Sequence, residues 1–148
     1  MTILRAGSAT DVGRVRNANE DSRLIVADRS LFGVADGMGG HQGGEIASAM
    51  AVELAERHTT ERSLDSLMEA ARVANRAIFE KAGAEPELSG MGTTLVALTL
   101  VDGPEGAELA WINVGDSRLY LMRDTELRQL SDDQHLVEAL VRAVKLTA

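Results

Sequence analysis

The chain has 148 residues, with 15 Lys and Arg against 23 Asp and Glu, a formal net charge of -8 and an isoelectric point near 4.8. That balance removes the basic footprint on which nucleic-acid binding depends and makes an anionic membrane surface a poor partner. There is no cysteine, so disulfides and thiolate metal sites are excluded, and any metal ligands are oxygen or imidazole, a set that suits magnesium, manganese or calcium.

This length corresponds to one domain with a single core. The opening "MTILRAGSATDVG" lacks a basic region followed by an apolar run, and no later window approaches a membrane span, so a soluble cytoplasmic protein is expected. Residues 4–37, "LRAGSATDVGRVRNANEDSRLIVADRSLFGVADG", read as three strands, the last two joined around "DRS", because their apolar runs are short and turn-bounded. The period then lengthens. Ile46, Met50 and Leu54 share one face of a helix from about Gly44 to His58. Leu64, Leu67, Met68, Ala71, Ala74 and Ile78 do so from about Ser63 to Ala82, with Gly83 as the helix stop. After the loop "AEPELSGMG", strands return as "TTLVALTLV", "AELAWINV" and "SRLYLMRD", joined by "DGPEG" and "GD", with "ELRQL" as one more short strand. A last helix is expected from Asp132 or Asp133, carrying Leu136, Val137, Leu140 and Val141. The order lacks regular βαβ alternation, so an α+β domain with antiparallel sheets is favoured, its helices covering one outer face.

Three stretches carry chemistry. In "GMGGHQGGE" neither the dinucleotide nor the Walker pattern fits. Asp36-Gly37 is open to two readings: a turn requiring glycine, or a fixed carboxylate beside a free carbonyl that together suit a hard divalent cation. In "RVRNANEDS", Arg16 precedes Glu20 and Asp21 by four and five positions, which is either a solvated turn of mixed charge or a phosphate-binding fork beside carboxylates. Gly115-Asp116 has the form of a two-residue hairpin turn. Thr93 and Thr94 read most simply as strand residues. Of the histidines, His41 lies in the glycine loop, His58 ends a helix and His135 sits near the start of the last one.

Taken together and in order, "VRNANEDS", "FGVADGMGGH", "GMGTTLVAL" and "VGDSRLYLMRD" closely resemble the metal-dependent protein phosphatase family, the type 2C serine/threonine phosphatases, and most of all its bacterial branch. The resemblance covers nearly the whole chain. It implies a four-layer fold, two antiparallel sheets packed as a β-sandwich with helices on both outer faces. It also implies that Asp36 bridges two Mn²⁺ or Mg²⁺ ions, that the Gly37 carbonyl binds one of them, and that Glu20 and Asp21 hold metal-bound waters. Arg16 would clamp the substrate phosphate. Asp116 matches the position for a third, weaker ion, and His41 a loop histidine serving substrate handling or proton transfer. In such two-metal centres a bridging hydroxide attacks phosphorus in line with the leaving serine or threonine oxygen.

The departures from the family pattern carry their own expectations. Further aspartates that bind metal directly belong to a later "SDG"-type strand end and a "DN" motif, and the sequence ends at "VRAVKLTA" before either. Gln134 stands where many relatives have histidine. An incomplete domain, residues 1–148, with weak metal binding, low activity and exposed sheet edges is therefore expected. The resemblance implies phosphoserine and phosphothreonine proteins as substrates and a serine/threonine kinase as the opposing partner. A non-catalytic phosphatase-like module that recognises a phosphoprotein or kinase is the alternative, and a nucleotide-binding domain a remote third.

Overall fold

A computed structural model describes residues 4–133 and the backbone strand 140–145. In chain order the elements are strand β1 (Asp21–Val26), a 3₁₀ turn (Ala27–Arg29), β2 (Leu31–Met38), helix α1 (Gly43–His58), helix α2 (Leu64–Ala84) and a second 3₁₀ turn (Pro86–Leu88). There follow β3 (Gly92–Thr93), β4 (Leu95–Gly103), β5 (Gly106–Val114), β6 (Tyr120–Arg123), β7 (Glu126–Gln129) and β8 (Leu140–Lys145). The main sheet has the order β1-β2-β4-β5-β8, with β3 paired to the far end of β2, and β6 and β7 form a separate two-stranded sheet. Each described pairing is antiparallel, as the α+β reading requires.

Successive strand residues face opposite sides of a sheet, so the register assigns the two faces. Leu24, Leu31, Ala35, Leu95, Ala97 and Ile112 form one face and make the core with α1 and α2. Val34, Val96, Leu98, Trp111 and Asn113 lie on the other, where the Asn113 amide donates to the Asp132 carbonyl at 3.3 Å.

The inner stripe of α1 is Ala47, Ala51 and Ala55, one position round from the expected Ile46, Met50 and Leu54. Alanine lets the helix axis lie close to the sheet, and Ile46 and Met50 fill the flanks of the same core. Buried Ser48 points the same way, its hydroxyl 2.9 Å from that of Ser22 on β1. At the other end, Arg29 donates to the carbonyls of Glu56 and Thr59, which the last helical turn leaves without backbone partners. In α2, Ser63 is the N-cap and accepts from the Ser66 amide at 3.1 Å. Gly83 does not stop this helix. It runs on to Ala84, and the stop is Pro86, which holds Glu85 extended at φ -115°, ψ 107°.

Three further expectations fail for identifiable reasons. Residues 4–20 form turns and irregular chain instead of a first strand, because short polar side chains there satisfy local amides: Asp11 accepts from Gly13 at 2.7 Å and Asn19 from Asp21 at 3.0 Å. Gly115-Asp116 is not a hairpin turn, since β6 pairs with β7 and not with β5. Leu140 and Val141 lie in β8, paired with Asn113 and Ile112, where the β-branched valines of "LVRAVK" suit an added strand. Gln134, His135, Leu136 and Val137 lie outside the described residues.

The tightness of the alanine stripe is testable. Ala51→Leu adds three carbons where the helix meets the sheet and is expected to lower unfolding free energy by about 1–3 kcal/mol in urea titration.

Candidate metal centre

The register of β1 on β2 sets Asp21 directly opposite Asp36. Their neighbours Ser22 and Ala35 face the helices, so both carboxylates project from the other side of the sheet. Directly opposed residues hold their Cβ atoms about 4.5–5.5 Å apart, so two negative charges share one small volume. Although Asp36 is exposed as a residue, its carboxyl is pushed above the ordinary range, first by partial desolvation and next by the charge of Asp21. Arg16 pulls it down again, while a hydrogen bond with Asp21 and the charge of Asp116 add to the upward push.

The backbone beneath these carboxylates is built on close approaches. A Cβ on Gly37 would sit 1.9 Å from the Gly44 carbonyl oxygen and 2.8 Å from that of Glu20. A Cβ on Gly44 would sit 2.6 Å from Glu20 Oε1 and 2.9 Å from the Met38 amide nitrogen. Glycine is therefore required at both positions, and the first turn of α1 lies directly against the end of β2. The Gly37 amide donates to the Glu20 carbonyl at 3.1 Å, and the Glu20 carboxylate takes Arg16 Nη1 at 3.3 Å. The connecting loop turns through His41, whose φ of 58° is left-handed, and the imidazole is exposed. Beside Asp21 and Asp36 a pocket of about 560 Å³ is walled by Thr10, Arg23, Val34 and Ser117.

Asp21, Arg16 and Asp116 thus all act electrostatically on Asp36, Glu20 is bonded to Gly37 and to Arg16, and His41 lies in the following loop. Sequence reasoning missed Thr94 and Ser117. Thr94 Oγ1 accepts from the Asp36 amide at 3.0 Å, the Thr94 amide donates to the Asp36 carbonyl at 2.9 Å, and the Thr94 and Ser117 hydroxyls are 2.6 Å apart. Both lie inside quoted motifs, but a threonine in a β-rich run looks like any strand former, and nothing local marks its partner 58 residues away.

The donors fit a hard divalent cation in kind: carboxylate and backbone carbonyl oxygens, with two like charges whose repulsion a cation would relieve. In number they fall short, because among the described residues no three His, Asp or Glu side chains gather closely enough to hold an ion together.

A sequence model of the protein phosphatase 2C family matches residues 14–142. The chain belongs to this family. It is 41% identical over 149 residues to the serine/threonine protein phosphatase PstP of Mycobacterium tuberculosis, a match covering 98% of this chain and 28% of that protein. It is 38% identical over 155 residues to the serine/threonine phosphatase stp of Listeria welshimeri, covering 97% of this chain and 60% of that one. Among solved structures, the catalytic domain of PstP in complex with two manganese ions superposes with a TM-score of 0.80 at 33% identity, covering 92% of this chain and 70% of that domain. The chain therefore spans less than two thirds of the length of either curated relative.

Asp36→Asn separates the electrostatic cost of the pair from its use. A carboxyl whose folded pKa is raised binds its proton more tightly folded than unfolded, so stability falls as pH climbs from the ordinary aspartate value through the raised one. In EDTA at pH 7.5 the variant should melt higher than the parent, by no more than about 4 °C, and thermal scans at decreasing pH should show the gap closing as Asp36 takes up its proton.

Proposed function

We propose that this chain carries the N-terminal part of a Mn²⁺- or Mg²⁺-dependent protein serine/threonine phosphatase. The observation that supports it best is the Asp21–Asp36 pair at adjoining strand ends, with its raised Asp36 carboxyl, in a chain of the protein phosphatase 2C family. Asp36 and the Gly37 carbonyl would hold the ions, Glu20 and Asp21 would support them from behind, and Asp116 would serve a third. When bound, the ions would supply charge neutralisation and an activated water.

The chain's own residues supply the remainder of the chemistry. Arg16 presents a planar guanidinium suited to two phosphate oxygens, and its present partner Glu20 is close enough to hold it aimed at the strand ends. His41, exposed on the loop, carries an imidazole that could donate a hydrogen bond to the departing serine or threonine oxygen. The pocket beside Asp36 gives the flanks of a phosphoserine or phosphothreonine a place to lie. The protein substrates, an opposing kinase and a cytoplasmic setting follow from the family reading. No helix among the described residues is long and apolar enough to cross a membrane.

The alternative is a phosphatase-like module that binds phosphoprotein without cleaving it. Phosphate release from a phosphothreonine peptide, with and without Mn²⁺, decides between them. The catalytic reading expects slow release that requires Mn²⁺ and falls at least about 100-fold in Asp36→Asn, with Arg16→Ala raising KM more than it lowers kcat. Release indifferent to Mn²⁺ or to Asp36→Asn overturns it. Absent release from a folded chain that still binds the peptide means that the motifs stand here without a complete metal centre, as in the module or in a fragment of the enzyme.

A further inference from the structure

We infer that the Thr94 hydroxyl is a positioning group that fixes Asp36 and ties it to the loop carrying Asp116, so that the two carboxylates are set as one unit. This rests on the proposed reading for the use made of Asp36, while the geometry stands independently of any metal.

Asp36 sits at the end of β2 where the strand must release its chain into the glycine loop. Its backbone is nevertheless held on both sides by one residue: its amide donates to Thr94 Oγ1 at 3.0 Å, and its carbonyl accepts from the Thr94 amide at 2.9 Å. The same carbonyl also accepts from Thr93 Oγ1 at 3.1 Å. A threonine hydroxyl has two acceptor lone pairs and one proton. The Asp36 amide takes one lone pair, which leaves the proton and the second lone pair for Ser117 Oγ, 2.6 Å away and next in sequence to Asp116.

Two further observations show that the junction is closely built. Thr94 is buried, at 5% exposure, so its hydroxyl has little access to replacement water. Gly115 stands at φ +97°, and a Cβ there would lie 2.8 Å from Thr94 Cγ2. The Thr94 methyl thus packs on the residue preceding Asp116 while its hydroxyl reaches the residue following it. Hydrogen bonds in such a chain polarise one another, so a change at Ser117 should be felt at the Asp36 amide.

The two halves of the side chain can be removed separately. Thr94→Val keeps the methyl contact with Gly115 and deletes the hydroxyl; Thr94→Ser does the reverse. Amide hydrogen exchange followed by NMR in metal-free buffer, referenced to the Leu24 and Ala97 amides of the same sheet, reads the effect. Thr94→Val should speed exchange at Asp36 about tenfold relative to those references, with Thr94→Ser close to the parent. Ser117→Ala should speed it by a smaller factor although Ser117 does not touch Asp36, and it supplies the reading if Thr94→Val fails to fold. Unchanged Asp36 exchange in Thr94→Val, or in Ser117→Ala, overturns the inference. So does a larger effect from Thr94→Ser, which would make the methyl packing the important part. Mn²⁺ titration of the same proteins adds a second readout, expected to weaken about tenfold in Thr94→Val and to recover in Thr94→Ser. A parent chain that holds no Mn²⁺ would count against the proposed function and leave the exchange result to decide the positioning role.

Discussion

The contact between Gly37 and Gly44 is the constraint from which the rest of the site follows. With a would-be Cβ 1.9 Å from a carbonyl oxygen, neither backbone has anywhere to move, so this is an absolute steric condition and not a preference. It brings the first turn of α1 against the end of β2. The helix can lie that low only because its inner stripe is alanine, and the same descent sets Ser48 within reach of Ser22. The close approach also places the Glu20 carboxylate against Gly44, at the end of the helix where unpaired amides give partial positive charge. Sheet, helix and candidate ligands are thus tied together at one point.

Against that rigid frame the electrostatics run the other way. Asp21 and Asp36 face each other, Asp116 adds to the push on Asp36, and the whole chain already carries a net charge of -8. In the bare protein this arrangement is unfavourable. It persists because its cost is small beside the burial of Leu24, Leu31, Leu67, Leu95 and Ile112, each worth about 1.5–3 kcal/mol when fully removed from water. A core that strong can hold charges where they repel, and repelling charges are what a cation stabilises. On the proposed reading, the fold and not the ligand would bear the preparation of such a site.

How much of this could be read from the sequence depended on whether the cause was local. The amphipathic α2, the strand pairs and the glycine loop announce themselves through periodicity and turn residues. Asp36-Gly37 stands out as well, although the residues alone leave open both a turn that needs glycine and a cation site. What escaped was set at long range. The buried stripe of α1 was displaced by one position because alanine scores weakly in any hydrophobic pattern, although here its smallness is the reason it is buried. Helix α2 overran Gly83 because glycine only weakens a helix, whereas the proline three residues on breaks it. The strand at Leu140 looked helical because "HLVEALV" spaces its leucines and valines at both periods, and pairing with β5 decided between them. The roles of Thr94 and Ser117 were invisible for the same reason: each is ordinary where it stands, and only the fold makes them neighbours of Asp36.

The Arg16–Glu20 pair bears on how the proposed site could also yield. The guanidinium is 61% exposed and the carboxylate 16%, so the pair lies at the rim with its cationic half in solvent. An ion pair of that kind contributes no more than about 1 kcal/mol, and a phosphate dianion offers Arg16 more charge and a better-matched pair of oxygens than a carboxylate partly turned into the protein does. Glu20 loses less than it would elsewhere when Arg16 leaves, because the start of α1 lies beside its carboxylate. The exchange is therefore close to balanced in the free protein and tips once phosphate is present. On the proposed reading, Glu20 would hold Arg16 in place before a phosphate arrives and release it at smaller cost than a deeply buried ion pair would.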